Sequence, residues 1–269
     1  MTDPPPGIGI LDGGSFHDFP VELKGVCLMQ DKVIGILGGM GPEATWDLFG
    51  RITKLTHAER DADHLHIIID SNPKIPDRTQ AIIGNGTSPV PAMITAGRNL
   101  EKSGADFIVI PCMTAHFFIR QVQESLHIPV INAFELMQQR LSNEMFAKVG
   151  VIATTGSLDS KLYEHYLDRV QLILPGPKAQ ENEVMDLIYG LNGIKAGSLS
   201  GSILTRLNRI ITRFQQQGAE AVIAGCTEIG LVLRHQPMPL PVIDPLDLLA
   251  EEAVRLAKRQ AGIGSIRTT

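Results

Sequence analysis

Apolar residues along this chain come in short unbroken runs, each entered from a turn and followed by helically spaced apolar positions. Lys32-Val-Ile-Gly-Ile-Leu-Gly-Gly39, His66-Ile-Ile-Ile-Asp70, Gly104-Ala-Asp-Phe-Ile-Val-Ile-Pro-Cys112 and Ile128-Pro-Val-Ile-Asn132 are the first four. Runs of this kind, without polar alternation, predict buried strands of a parallel sheet covered on both faces. Between them, Ala44, Leu48, Ile52 and Leu55 recur at the spacing of one helix face. Further helices are predicted around residues 90–103 and from about Ala133.

The second half repeats the order. Lys148-Val-Gly-Val-Ile-Ala-Thr-Thr-Gly156 answers the first run, Gly218-Ala-Glu-Ala-Val-Ile-Ala-Gly-Cys226 the third, and Leu240-Pro-Val-Ile-Asp244 the fourth. The interval from Gly to Cys is eight positions in both copies (112−104 and 226−218). From Lys to Cys it is 80 in one half (112−32) and 78 in the other (226−148). Three matched segments in one order predict an α/β fold of two similar lobes, pseudo-duplicated, each a parallel sheet flanked by helices. We place the first lobe at 31–134 plus 240–269 and the second at 135–239. A final helix from about Leu246 to Gln260 would cross back to the first lobe, and the cleft between lobes is the expected ligand site. Residues 1–30, Pro/Gly-rich and without sustained periodicity, read as an N-terminal extension.

Composition narrows the function. Of 269 residues 43% are hydrophobic, ordinary for a globular protein, and the net charge of −5 without a polybasic run argues against nucleic acid or an anionic membrane. No apolar segment approaches the ~18–20 residues needed to span a bilayer. The amino terminus lacks the basic and apolar regions of a signal peptide. Three cysteines, far apart, form neither a disulfide framework nor a zinc spacing. A cytoplasmic protein with free thiols is the expectation. Cys27 has no motif around it and reads as a bystander.

Chemistry concentrates at strand ends, where open α/β sheets place their ligands. Cys112 and Cys226 would both sit there. If helices begin at these cysteines, their positive ends favour thiolates. His116, four residues past Cys112 on the same helical face, could tune it, and Thr114, Thr227 and Glu228 lie close enough to orient either thiol. The turn Gly38-Gly39-Met40-Gly41 before Pro42 reads either as a backbone cradle for a carboxylate or as a tight turn needing positive φ. It has neither the dinucleotide nor the P-loop pattern. Arg78, delivered past a strand end by a loop stiffened with two prolines, suits a planar carboxylate. Like groups at equivalent ends of duplicated strands fit racemisation, in which one thiolate removes a proton and a thiol on the opposite face returns one.

Ile34-Gly-Ile-Leu-Gly-Gly-Met-Gly-Pro42, Asn72-Pro-Lys-Ile-Pro-Asp-Arg-Thr79, Pro111-Cys-Met-Thr-Ala-His116, Ala153-Thr-Thr-Gly156, Lys195-Ala-Gly197, Ala224-Gly-Cys-Thr-Glu228 and Ile243-Asp-Pro245 together resemble the aspartate/glutamate racemase family. The chain is most similar to its cofactor-independent aspartate racemase branch, over residues 32–257. The resemblance implies racemisation of an acidic amino acid without pyridoxal phosphate, other cofactor or metal, by a homodimer. It implies Cys112 and Cys226 as the paired acid/base residues and Arg78 and Lys195 as grips on the substrate carboxylates. Met113, Thr114 and Ala115, with Met40, would line the pocket. One departure stands out: the family carries Asn after the first cysteine, and Met113 stands there. A thioether has almost no hydrogen-bonding capacity. Two alternatives therefore stay open, a related isomerase or decarboxylase acting on another carboxylated substrate, and a catalytically disabled acidic amino-acid-binding protein.

Overall fold

The computed structural model describes residues 31–198, 201–234 and 236–258. The extension 1–30, with Cys27, and the segment 259–269 lie outside the described residues. Two parallel sheets are present. In the first, β1 (Ile34–Gly38) lies between β2 (Ile67–Ser71) and β3 (Phe107–Val109). Val130 extends it by a parallel bridge to Ile108. In the second, β4 (Lys148–Ile152), β5 (Gln171–Ile173), β6 (Ala221–Ala224) and β7 (Val242–Ile243) stand in the order β5-β4-β6-β7. With the Val130 bridge as the fourth member, both sheets follow one order, and the chain is a two-lobed, pseudo-duplicated α/β protein.

The repeated segments do matching work. Gly104 and Gly218 take positive φ, 95° and 88°, a backbone region that costs glycine no steric strain. The acid two residues on then reaches the start of the central strand. Asp106 Oδ2 accepts from the Val33 N–H at 2.7 Å, and Glu220 Oε2 from Ala147 and Lys148 at 2.6 and 3.0 Å. The fourth segments match as helix caps. The Asn132 side chain accepts from Phe134 N–H to start the helix Ala133–Glu144, and Asp244 accepts from Leu246 N–H to start Pro245–Ala257.

Two expectations need correction. β2 is an edge strand and only half buried, with Ile69 exposed, because nothing pairs with its outer side among the described residues. β7 hydrogen-bonds to β6 in the second sheet, although its residues fall in the 240–269 segment assigned above to the first lobe. Only the helix after it returns, packing on Pro42–Leu55 and Ala133–Glu144.

That return is fixed by charge. Arg51, 1% exposed, bonds Asp47 one turn earlier and reaches Asp244 at 2.6 Å and Asp247 at 2.7 Å at the start of the crossing helix. Arg234, after the helix Thr227–Leu233, pairs with the other oxygen of Asp47. Burial works against the charge on Arg51, but its carboxylate neighbours hold its pKa above the ordinary value. A paired buried charge is costly to leave half-paired, so this cluster ties three elements into one arrangement. No helix among the described residues is long and apolar enough to cross a membrane.

Candidate active site

One small cavity collects most of the predicted site residues. The first half of the chain contributes Met40, Arg78, Thr79, Cys112, Met113 and Thr114; the second contributes Thr154, Tyr189, Lys195, Gly225, Cys226, Thr227 and Glu228. A larger hollow alongside shares Thr79 but holds neither cysteine and neither Arg78 nor Lys195. The chemistry lies in the smaller one. Among the described residues no cluster of His, Cys, Asp and Glu is arranged to hold a metal.

The two cysteines enter differently. β3 stops at Val109, and the chain runs through Ile110 and Pro111 to Cys112, whose N–H donates to the Ile110 carbonyl at 2.8 Å. A 3₁₀ turn, Thr114–Phe118, follows. Cys226 is itself the N-cap of the helix Thr227–Leu233. The expected helix start is thus found at Cys226, whereas after Cys112 the chain takes the tighter turn. Both thiols are unpaired and buried.

That tighter turn relocates two predicted residues. With three residues per turn, positions four apart no longer share a face as in an α-helix. Ala115 is fully buried in the core beneath the first sheet and is not among the cavity residues. His116 places Nδ1 2.9 Å from the Cys112 carbonyl oxygen and so donates to the backbone rather than to the sulfur. Its buried Nε2 has no hydrogen-bond partner, and burial pushes the imidazole down to about 4, leaving it neutral. Met113 is buried between the sheet and the Phe134 core while also lining the cavity.

Arg78 begins the short helix Arg78–Ile82, capped by the Asp77 side chain accepting from Gln80 N–H. Its terminal nitrogens donate to the carbonyls of Ile75, Pro76 and Met40 at 3.0–3.2 Å, and its buried Nε has no hydrogen-bond partner. The guanidinium therefore braces its own loop and the glycine-rich turn. Burial opposes its charge, but Cys112 and Asp77 nearby outweigh that and hold its pKa above the ordinary value. In the glycine-rich turn Gly39 has φ 89°, and a Cβ there would meet the Asn72 backbone at 2.3 Å. Its N–H donates to Thr45 Oγ1 at 2.9 Å. The tight-turn reading is the one observed at Gly39.

Opposite, Glu228 is the hub. Its Oε2 lies 3.0 Å from Cys226 Sγ and 3.1 Å from Thr227 Oγ1, and its Oε1 accepts from Lys195 Nζ. Burial alone would raise the carboxyl pKa, but Lys195 and the Cys226 contact bring it below the usual value. Lys195 is held above its usual value against burial, by Cys226 and Glu228. Burial pushes the Cys226 thiol well up, with the Glu228 carboxylate adding to it and Lys195 subtracting. Lys195 also sits 5.7 Å from the centre of the Tyr189 ring, whose hydroxyl burial pushes up to about 12.

Sequence reasoning passed over Thr79, Thr154, Tyr189 and Gly225 as cavity residues. A Cβ on Gly225 would meet the Tyr163 hydroxyl at 2.3 Å, and that hydroxyl donates to the Gly225 carbonyl at 3.0 Å. The glycine beside Cys226 was the available signal for such a close approach.

The parallel two-lobed fold brings a thiol from each half of the chain into one cavity. The profile of the Asp/Glu/Hydantoin racemase family matches residues 37–253, and the chain belongs to that family. Among curated relatives, the "Broad specificity amino-acid racemase RacX" of Bacillus subtilis (strain 168) is 28% identical over 226 residues, 82% of this chain and 96% of that protein. Among solved structures, the aspartate racemase of Picrophilus torridus aligns with a TM-score of 0.73 at 26% identity, covering 84% of this chain and 94% of that one. A putative Asp/Glu racemase from Yersinia pestis shares the fold at TM-score 0.69 and 23% identity, covering 84% and 99%.

Proposed function

We propose that this chain racemises amino acids by two-base proton transfer between Cys112 and Cys226, with aspartate its foremost substrate. The observation that carries the reading is the pair of buried thiols, one from each half, lining one cavity between cationic groups. One thiolate removes the α-proton and the other cysteine returns a proton to the opposite face, so both carriers come from the protein and no pyridoxal phosphate is needed. Arg78, beside Cys112, offers a guanidinium charge to a substrate carboxylate, and Lys195 can divide its charge between Glu228 and substrate. Met40, Met113, Thr114 and Thr227 shape the walls. We place the reaction in the cytoplasm and in a homodimer.

A wider substrate range is the second reading, favoured by Met113, which puts an apolar thioether where the family pattern has an amide. The name of the Bacillus subtilis relative points the same way. One experiment addresses both. Amino acids incubated in deuterium oxide with purified protein and no added cofactor should exchange the α-hydrogen and lose optical activity. Aspartate leading the panel supports the first reading, and neutral amino acids matching it supports the second. No exchange with any substrate by folded protein overturns both.

A further inference from the structure

The two thiols stand in opposite electrostatic company. Cys112 lies beside Arg78, a guanidinium that hydrogen bonds to three carbonyls keep in place. Cys226 has a carboxylate against its sulfur: Glu228 Oε2 at 3.0 Å, 5% exposed and fixed from its other oxygen by Lys195. An ionised carboxylate only accepts, so at this distance the Cys226 sulfur must be the donor and carry its hydrogen. Were Cys226 a thiolate, two anions would face each other in a buried site, offset only by Lys195, which Glu228 already engages. Of the remaining titratable neighbours, Tyr163 and Tyr189 are held neutral by burial and supply no countercharge, and Asp77 faces Arg78 and Tyr189.

We propose that the resting enzyme is polarised, with Cys112 the base and Cys226 the acid, and that Glu228 is the positioning residue that keeps the proton on Cys226 and aims it. The assignment rests on the two-thiol reading above. In the first turnover the Cys112 thiolate takes the α-hydrogen as a proton, and the C–H bonding pair stays on Cα. The Cys226 S–H bond then breaks, its proton passing to the opposite face of Cα while its pair stays on sulfur. The product form has Cys112 as thiol and Cys226 as thiolate beside Glu228. That form is the less stable of the two, and it returns to rest by exchanging protons with water or by turning over the other enantiomer.

The test reads the ultraviolet absorbance of the thiolate band of whole protein near neutral pH, which requires neither substrate nor reagent access. The wild-type chain should show a band that Cys112→Ala removes and Cys226→Ala leaves. In Glu228→Gln, which keeps the shape and an acceptor oxygen but drops the charge, a second contribution of similar size should appear at lower pH than in wild type. Far-ultraviolet circular dichroism confirms the fold of each variant, and the wild-type and cysteine-variant comparison decides the assignment even if Glu228→Gln does not fold. A band lost in Cys226→Ala instead, a band unaffected by either cysteine change, or no band at all overturns the proposal. Because no turnover is involved, this outcome is separable from the α-hydrogen exchange experiment. Exchange without the expected bands sinks the polarity alone; the expected bands without exchange sink the racemase reading alone.

Discussion

Thr114, from the first half, and Thr154, from the second, bring their hydroxyls to 3.1 Å of each other across the cavity wall, and Ser157 completes the ring at 2.8 and 3.0 Å. Three buried hydroxyls can satisfy one another in a cycle, each donating to the next. Thr154 is also the N-cap of the helix Thr155–Asp159, accepting from Ser157 N–H. The lobes are thus joined beside the reacting atoms by hydrogen bonds. Thr114→Val keeps the shape and removes one member of the ring. We expect a stability loss of about 1–3 kcal/mol in urea unfolding together with a raised KM. An unchanged KM would show that the ring does not shape the substrate site.

Cys112→Ala and Cys226→Ala should each reduce racemisation by at least about a thousandfold, since each face of the substrate needs its own proton carrier. The informative measurement follows each enantiomer separately in deuterium oxide. Each variant should retain slow α-hydrogen exchange, without inversion, from the one enantiomer that presents its hydrogen to the surviving thiol. Equal exchange from both enantiomers would contradict opposed placement.

Met113→Asn supplies an amide at a position that is both core and cavity wall. One well-placed hydrogen bond of about 1.4 kcal/mol corresponds to about tenfold in rate or affinity. The ratio of kcat/KM for aspartate to that for a neutral amino acid should rise by about that factor. The cost is lower thermal stability, because the amide replaces apolar packing. A ratio that does not move would remove Met113 from the determinants of substrate choice.

His116 predicts a specific acid sensitivity. Its imidazole titrates near 4 when folded, against 6.5 in the unfolded chain. Between these values the unfolded state binds the extra proton, so stability is full above pH 6.5 and is lost as pH falls toward 4. A shift of this size in a wholly buried group amounts to about 3 kcal/mol. His116→Gln should flatten that part of the Tm-versus-pH curve; a parallel curve would assign the acid sensitivity elsewhere.

Arg51→Met removes the cation shared by Asp47, Asp244 and Asp247 and leaves Arg234 paired with Asp47 alone. Breaking one partner out of a buried ionic cluster typically costs about 3–5 kcal/mol. Urea unfolding should register a loss of that order, while the cavity residues keep their places if the crossing helix stays docked. A loss under about 1 kcal/mol would mean that apolar packing alone holds the helix.

Much of this was legible in the chain. The apolar runs located β1 to β4, β6 and β7, both cysteines and the Asn132 and Asp244 segments, because buried parallel strands leave unbroken apolar signatures; the three-residue β5, with only Ile173 buried, left none and was missed. Spacing failed where local geometry departed from an α-helix. The 3₁₀ turn after Cys112 carried Ala115 into the core and His116 onto a carbonyl. Contacts between distant residues left no local pattern: Arg51 and Asp244 stand 193 positions apart, and Thr114 meets Thr154 across 40. Glu228 was visible as a neighbour of Cys226, but its simultaneous hold on Lys195 required the fold.

The acids of the two repeated corners, Asp106 and Glu220, have a consequence for the reaction they never touch. Each pins the first residues of a central strand to the strand that leads toward a thiol. The strands that lead to the two sulfurs are therefore held at their amino ends, opposite the ends from which the chain runs on to the cysteines. Changes at these carboxylates would act as adjustments of reach, altering how well two proton carriers meet one carbon without altering any atom that meets it.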